Sequence, residues 1–361
     1  MSDMEIIEIT YPLLFKAAFL EQNNKPLIID DVMFSGPLGV GQVLVRIYYS
    51  GICGKQIEEI KGTGGPDPFL PHMLGHEGSG VVVDIGPGVK KVKPGDCVVL
   101  HWLKGSGIDA ETPFYTCNEK RINAGWITTF NEYGVISENR LTPIPRGTDM
   151  AIACLLGCAV TTGIGTVLHD AKLCPGDSIA IFGCGGVGLS AVQGAVLVHG
   201  HPIIAIDRNA KSLDMALKFG ASHTINPDSE NVLEKIGLIT GGKGVNSVII
   251  TVNAPQVIEM AVKAGAIPGT VSVISVPPAN STIAVDPLAI HRRRTLIGSY
   301  GGGTVPDIDI PRYLALYHRG HLKLKELIQT IIPLSRINDG IDAHLSGKGG
   351  RCIVRMFDED M

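Results

Sequence analysis

From about Cys174 onward the chain repeats one local pattern: a short β-branched run, a glycine-rich or polar turn, then a helix-compatible segment. DSIAIFGCGGVG leads into LSAVQGAVLVHG, PIIAIDRN into KSLDMALKFGA and NSVIITVN into QVIEMAVKAG, before TVSVISV closes the series. Strands separated by helices return to the same end of a sheet and pair in parallel. This stretch is therefore predicted to be α/β, a parallel, doubly wound sheet.

The first turn of the series carries G-x-G-x-x-G: Gly183, Gly185 and Gly188, with Gly186 and Val187 between the last two. It follows the strand SIAIF and opens a helix, which is the context that gives the motif meaning. The first glycine permits the tight turn, the second lets the backbone approach a pyrophosphate, and the third lets helix pack on strand. Asp207 ends the next strand, IIAID, near the spacing of about 20 residues at which a carboxylate binds the adenosine ribose hydroxyls and repels a 2′-phosphate. NAD is thereby favoured over NADP. Arg208 follows at once and has two readings, a partner for that phosphate or a solvated surface residue.

The earlier part of the chain has a different rhythm. From Leu27 to about Arg146, short β-type runs such as QVLVRIYY and GSGVVVDIG are cut by Gly and Pro turns, which predicts an all-β, barrel-like unit. After Arg294 the pattern turns irregular, with VPDIDIPR read as a hinge or loop, an amphipathic helix near Pro311 to Gly320, and a last strand, RCIVRMF, expected to return to the first unit.

A length of 361 residues agrees with two domains at about 150 residues each. With 31 Lys+Arg against 35 Asp+Glu the formal charge is −4, so no basic field exists to hold nucleic acid or an anionic membrane. Gly, Pro and charges interrupt every apolar run short of the roughly 20 residues a membrane helix needs. MSDMEIIEIT is acidic where a secretory signal is basic, so a cytoplasmic location is expected. Eight scattered cysteines read as buried thiols or metal ligands, not as a disulfide framework.

Cys53 in YYSGICG, His76 and Glu77 in GHEGSG, and Cys158 in LLGCAVTTGIG offer two thiolates, an imidazole and a carboxylate, a set able to hold a tetrahedral zinc. Spacing alone leaves open that they are ordinary core residues. Taken together, however, Cys53, GHEGSG at 75–80, GCAVTTGIG at 157–165, GCGGVGLS at 183–190 and Asp207 stand in an order that resembles the zinc alcohol dehydrogenases of the medium-chain dehydrogenase/reductase superfamily, over nearly the whole chain.

That resemblance implies a GroES-like β-barrel catalytic domain (1–158 and 297–361) into which a Rossmann NAD-binding domain (159–296) is inserted, with the active site in the cleft between them. It implies Cys53, His76 and Cys158 as zinc ligands, and Glu77 as a carboxylate that coordinates zinc when the solvent ligand leaves. Thr162 is expected to touch the nicotinamide, the loop from Ser299 and Tyr300 to Gly302 to receive its carboxamide, and Arg351 in GKGGR to hold the pyrophosphate. The plain alternative for Arg351 is a surface arginine on a terminal strand. The implied reaction is hydride transfer between a small-molecule alcohol and NAD, giving an aldehyde or ketone, with zinc as Lewis acid.

The chain departs from that family in places. Most members carry Ser or Thr two residues after the first Cys and then Asp, whereas this chain reads Cys53, Gly54, Lys55, Gln56. Lys55 would face the reacting oxygen as a general base, its pKa depressed in a partly dry cleft; alternatively it runs to solvent or pairs with Glu58 or Glu59. Gln56 replaces the carboxylate that orients the ligand histidine, making that imidazole a poorer donor. Gly54 stands where some members place a basic residue on the pyrophosphate, and Glu58 where a relay histidine is often found. Many members also hold a structural zinc on four close cysteines, but HWLKGSGIDAETPFYTCNEKRINAGW contains only Cys117, so one catalytic zinc per chain and no structural zinc are expected.

Trp102 and Trp126 are expected to flank the substrate entrance, with His101, Lys104, Asp109, Asn118 and Asn123 as hydrogen-bonding groups, which favours a polyol, sugar or sugar-derivative hydroxyl over a simple alcohol. Two other classes stay open: a zinc-free, NADPH-linked quinone or enone reductase on the same fold, and a non-catalytic dinucleotide-binding protein. By analogy a homo-oligomer, dimer or tetramer, is expected, with TVSVISV supplying an intersubunit strand edge.

Overall fold

A computed structural model describes residues 9–345 and 351–357. In the first unit a closed barrel is formed by strands Leu13–Leu20, Ile28–Phe34, Phe114–Cys117, Lys120–Asn123 and His72–Met73. Beside it lies a sheet ordered Leu141–Ile144, Cys97–His101, Glu77–Ile85, Gln42–Gly51, Arg351–Arg355, Ile328–Pro333, and Tyr133–Ser137 also pairs with Gln42–Gly51. QVLVRIYY is buried on both sides because its side chains alternate between two cores: Val43, Val45 and Ile47 enter one, and Leu44 enters that of the barrel.

The second unit is a six-stranded parallel sheet ordered His223–Ile225, Ile203–Ile206, Ile179–Phe182, Val245–Ile250, Gly265–Val273, Arg294–Gly298. Its first strand is central, with Ile179 and Ile181 facing one core and Ala180 and Phe182 the other, as expected of a sheet covered on both faces. The strand order reverses beside this strand, so the crevice for a ligand opens at its carboxyl end, at Gly183.

Three expectations are corrected. The parallel sheet runs past 296, because Arg294–Gly298 pairs in register with Gly269–Val273. TVSVISV offers no free edge, since the strand Gly265–Val273 is flanked on both sides; the edges are His223–Ile225 and Arg294–Gly298. VPDIDIPR is no hinge: the helix spans Pro306–His318, with proline at its first position and Asp307 and Asp309 in its first turn, where carboxylates suit the helix dipole. Asp309 also accepts a hydrogen bond from Val305 N (2.9 Å). This helix packs on the Ala159–Gly165 helix and the Leu141–Ile144 strand, and the last two strands extend the sheet of the first unit, so the tail closes on the domain where the chain began.

Among the described residues no single helix is long and apolar enough to cross a membrane. One bent pair, Met150–Gly157 with Ala159–Asp170, passes by length and composition, and most of it is buried in the core between the two units.

Candidate active site

Cys53 caps the Gly54–Lys61 helix at the end of the longest strand, and His76 stands just before the Glu77–Ile85 strand. Gly75 makes this second placement possible: its φ is +93°, and a Cβ there would strike Thr129. Cys158 sits at a kink (φ −151°, ψ −71°) between the Cys154–Gly157 turn and the Ala159–Gly165 helix. One donor atom from each of Cys53, His76 and Cys158 lies within 4.8 Å of the others. The thiol of Cys53 is drawn well below its ordinary value, chiefly by the S–H of Cys158 and further by His76 and Arg351, while Cys158 is pushed up by the same contact and by burial. Two close sulfurs beside an imidazole form a soft donor set that fits Zn²⁺. The Gln56 side chain ties two of these residues together, accepting from Cys53 N (3.0 Å) and meeting His76 Nδ1.

Glu77 stands outside that donor group. It is fully buried, with one oxygen paired to Arg351 and the other accepting from Ala159 N (3.2 Å), so a guanidinium and an amide hold it beside the donor group. Lys55 is exposed on the helix, and its charge bears on Glu58 and Glu59. Across the cleft, the Asn253 amide donates to Glu58.

At the glycine turn, Gly183 has φ +93°, and a Cβ on Gly188 would lie 1.8 Å from the Gly183 carbonyl oxygen, so only glycine lets the Gly186–Leu197 helix start this close to its strand. Gly185 faces open space, which leaves the turn accessible to a phosphate group. Arg351 is no surface residue: it is 3% exposed, its side chain lies against Gly186, and its Nε has no hydrogen-bond partner. A buried, unpartnered guanidinium N–H at a helix N-terminus fits a diphosphate. Asp207 accepts from Cys184 N (2.7 Å) and Asn209 N (2.8 Å), which fixes the carboxylate beside the turn. Arg208 is exposed and pairs with Asp228 at the surface (2.8 Å).

Thr162 is buried one helical turn after Cys158, and the backbone of Gly302 packs against its carbonyl. Ser299 turns its hydroxyl inward, donating to Asp170 (2.6 Å) and sharing a bond with Thr166 (2.8 Å), while the next residue, Tyr300, is 77% exposed and meets the Trp102 ring edge-on at 4.8 Å. Trp102 and Trp126 are linked through Arg140, which donates to the Trp102 carbonyl (2.7 Å) and lies over the Trp126 ring.

The lobe with a single thiol is pinned by carboxylates that sequence reasoning did not single out. Glu138, 2% exposed, accepts from the backbone N–H groups of Lys90, Lys91 and Ile108 (2.6–2.7 Å), and Asp307 accepts from Ser106 N (2.7 Å) and pairs with Lys91. No local pattern marks either residue, because each reaches a loop distant in sequence. His344 was missed for the same reason; its ring faces Gly54.

The alcohol dehydrogenase GroES-like domain family matches residues 39–146, and the zinc-binding dehydrogenase family matches residues 186–319. The chain is 32% identical to S-(hydroxymethyl)glutathione dehydrogenase of Escherichia coli, over 94% of this chain and 99% of that protein. Among solved structures it is similar to an alcohol dehydrogenase zinc-binding domain protein from Burkholderia ambifaria (TM-score 0.88, 28% identity, 96% of this chain and 99% of that one). It is also similar to benzyl alcohol dehydrogenase from Acinetobacter calcoaceticus (TM-score 0.87, 26% identity, 96% of this chain and 100% of that one).

Proposed function

This chain belongs to the zinc-dependent alcohol dehydrogenases of the medium-chain dehydrogenase/reductase superfamily, and from that premise we propose that it interconverts a polar alcohol and its carbonyl product with NAD and one catalytic zinc per chain. The observation that carries this reading is the meeting of Cys53, His76 and Cys158 in the cleft that the glycine turn faces. Bound there, zinc supplies Lewis acidity toward the substrate oxygen, and the nicotinamide supplies or accepts the hydride.

The chain's own residues do the positioning. Cys53, His76 and Cys158 hold the metal, and Gln56 orients His76. The N-terminus of the Gly186–Leu197 helix and Arg351 hold the diphosphate, and Asp207 receives the ribose hydroxyls. Thr162 and the adjoining loop at Ser299 and Tyr300 would orient the nicotinamide relative to the substrate. Lys55, when its amine is neutral, would accept the hydroxyl proton and pass it to solvent. The rings of Trp102 and Trp126 flank the entrance and favour a polyol, sugar or sugar-derivative hydroxyl. Asp207, beside the glycine turn, supports NAD over NADP. We further place the enzyme in the cytoplasm, in keeping with eight free cysteines, as a homo-oligomer that could pair along its exposed Arg294–Gly298 edge. The donor set weighs against the zinc-free reductase and the non-catalytic readings.

The test is a panel of polyols, sugar alcohols, S-(hydroxymethyl)glutathione and benzyl alcohol, with NAD and with NADP, on protein purified without chelator. Zinc-dependent turnover that is faster with NAD is expected. Turnover that survives removal of zinc, or cofactor binding with no turnover on any alcohol, would overturn the proposal.

A further inference from the structure

Two buried donors beside Cys158 have no hydrogen-bond partner: the indole Nε1 of Trp102 and the hydroxyl of Thr162. Each is costly to leave unpaired in a folded core, which points to an acceptor supplied when the site is filled.

Thr162 makes the point by contrast with its neighbours. In the same helical segment Thr161 donates to the Cys158 carbonyl (3.0 Å) and Thr166 to the Thr162 carbonyl (2.7 Å), the usual ways for a helical threonine to satisfy its hydroxyl. Thr162 makes no such bond. Its backbone N–H donates to Cys158 O (2.9 Å), which sets its side chain one turn from the cysteine, and its hydroxyl faces the sulfur.

Trp102 arrives from the other side. The Cys97–His101 strand ends against the turn before Cys158, so closely that a Cβ on Gly157 would lie 2.3 Å from the Leu100 carbonyl oxygen. Just beyond that strand the Trp102 ring is held by the edge-on contact with Tyr300 and by the Arg140 bond to its carbonyl, with its N–H toward Cys158.

We propose that Trp102 Nε1–H and Thr162 Oγ1–H both donate to the Cys158 sulfur once it is a metal-bound thiolate, making these two residues positioning residues for the metal centre. The inference rests on the zinc reading above. Both donors bear on Cys158, whose thiolate has lone pairs enough for two such bonds, and each bond withdraws electron density from the sulfur. The metal is left more electrophilic, while the thiolate is stabilised against reprotonation. Trp102 would then serve the metal through its N–H and the substrate through its ring face.

Cobalt(II), reconstituted into chelator-stripped protein without substrate or cofactor, tests this separately from activity. The sulfur-to-cobalt charge-transfer band reports electron density on the ligand sulfurs. Trp102→Phe keeps an aromatic ring but deletes the donor, and Thr162→Val deletes the other. Each is expected to move the band to longer wavelength and to weaken metal retention by about 10-fold or more against a competing chelator, as for other outer partners of ligands. Thr162→Ser, which keeps the hydroxyl, is expected to restore both. A band that stays in place in either variant, with cobalt bound stoichiometrically, removes that residue from the proposal. Failure of wild-type protein to give any thiolate band would instead sink the zinc reading itself.

Discussion

Glu77 and Arg351 come from strands far apart in sequence and meet with almost no solvent, at 0% and 3% exposure. Burying both charges costs several kcal/mol, recovered only while each has the other. Glu77→Gln leaves the guanidinium unpaired beside Gly186, so a loss of about 3–5 kcal/mol is expected in urea unfolding; a loss below about 1 kcal/mol would place the pair in the solvated class. Lys55 is the opposite case, an exposed side chain whose proposed role is chemical. Replacing it by Met is expected to slow NADH formation and alter its pH dependence without changing stability, and an unaltered rate profile would leave the proton to water. At this scale the residue types of the metal set were legible from local motifs. The Glu77–Arg351 pair was not, because no pattern within either strand records what the other strand brings to it.

The 102–126 segment, which has a single cysteine, shows how carboxylates from elsewhere in the chain hold a loop. Its loop is tied at Ile108 to Glu138 and, two residues earlier, at Ser106 to Asp307, at the start of the Pro306–His318 helix. Burial alone would raise the pKa of Asp307, but the Lys91 ammonium and the Ser106 donors outweigh it and hold the carboxyl at about 2. The folded value lies below the unfolded one of about 3.9, so the stabilisation is complete above that pH and disappears as pH falls toward 2. Asp307→Asn is therefore expected to cost about 1–2 kcal/mol at neutral pH, discounted for partial exposure, and nothing near pH 2. Thermal unfolding of both proteins across that window, followed by tryptophan fluorescence, checks this; equal destabilisation at both ends would rule out a charge effect. The same aspartate explains why VPDIDIPR reads as a loop yet folds as helix. Its prolines look like breaks in a local pattern, while the first-turn carboxylates that start the helix are recognised only with their partners in place.

Over the whole molecule the two units are joined where the chemistry is placed. Arg351 lies against the glycine turn and pairs with Glu77, and Gly163 lets the helix after Cys158 approach Val187 so closely that a Cβ there would lie 2.3 Å from its carbonyl oxygen. Because carboxylates pin the lobe at Ser106 and Ile108, we propose that the one zinc is the catalytic one. Elemental analysis is expected to find about one zinc per chain, and chelation to abolish turnover while leaving the far-ultraviolet circular dichroism unchanged. Two metals per chain, or unfolding on chelation, would contradict this account.

By itself the sequence determined the parallel sheet, the phosphate-binding turn and the identity of the donor residues. Each is written in a contiguous stretch, as an alternation of strand and helix or as glycines at the positions where a side chain would collide. Only the tertiary structure decided what those residues stand beside: the unpartnered Trp102 and Thr162 donors near Cys158, Arg351 on Glu77, Asp307 on a loop it never adjoins in sequence. Such contacts follow from the packing of whole elements, and a side chain's nearest neighbours in a folded core are set by that packing and not by its neighbours along the chain.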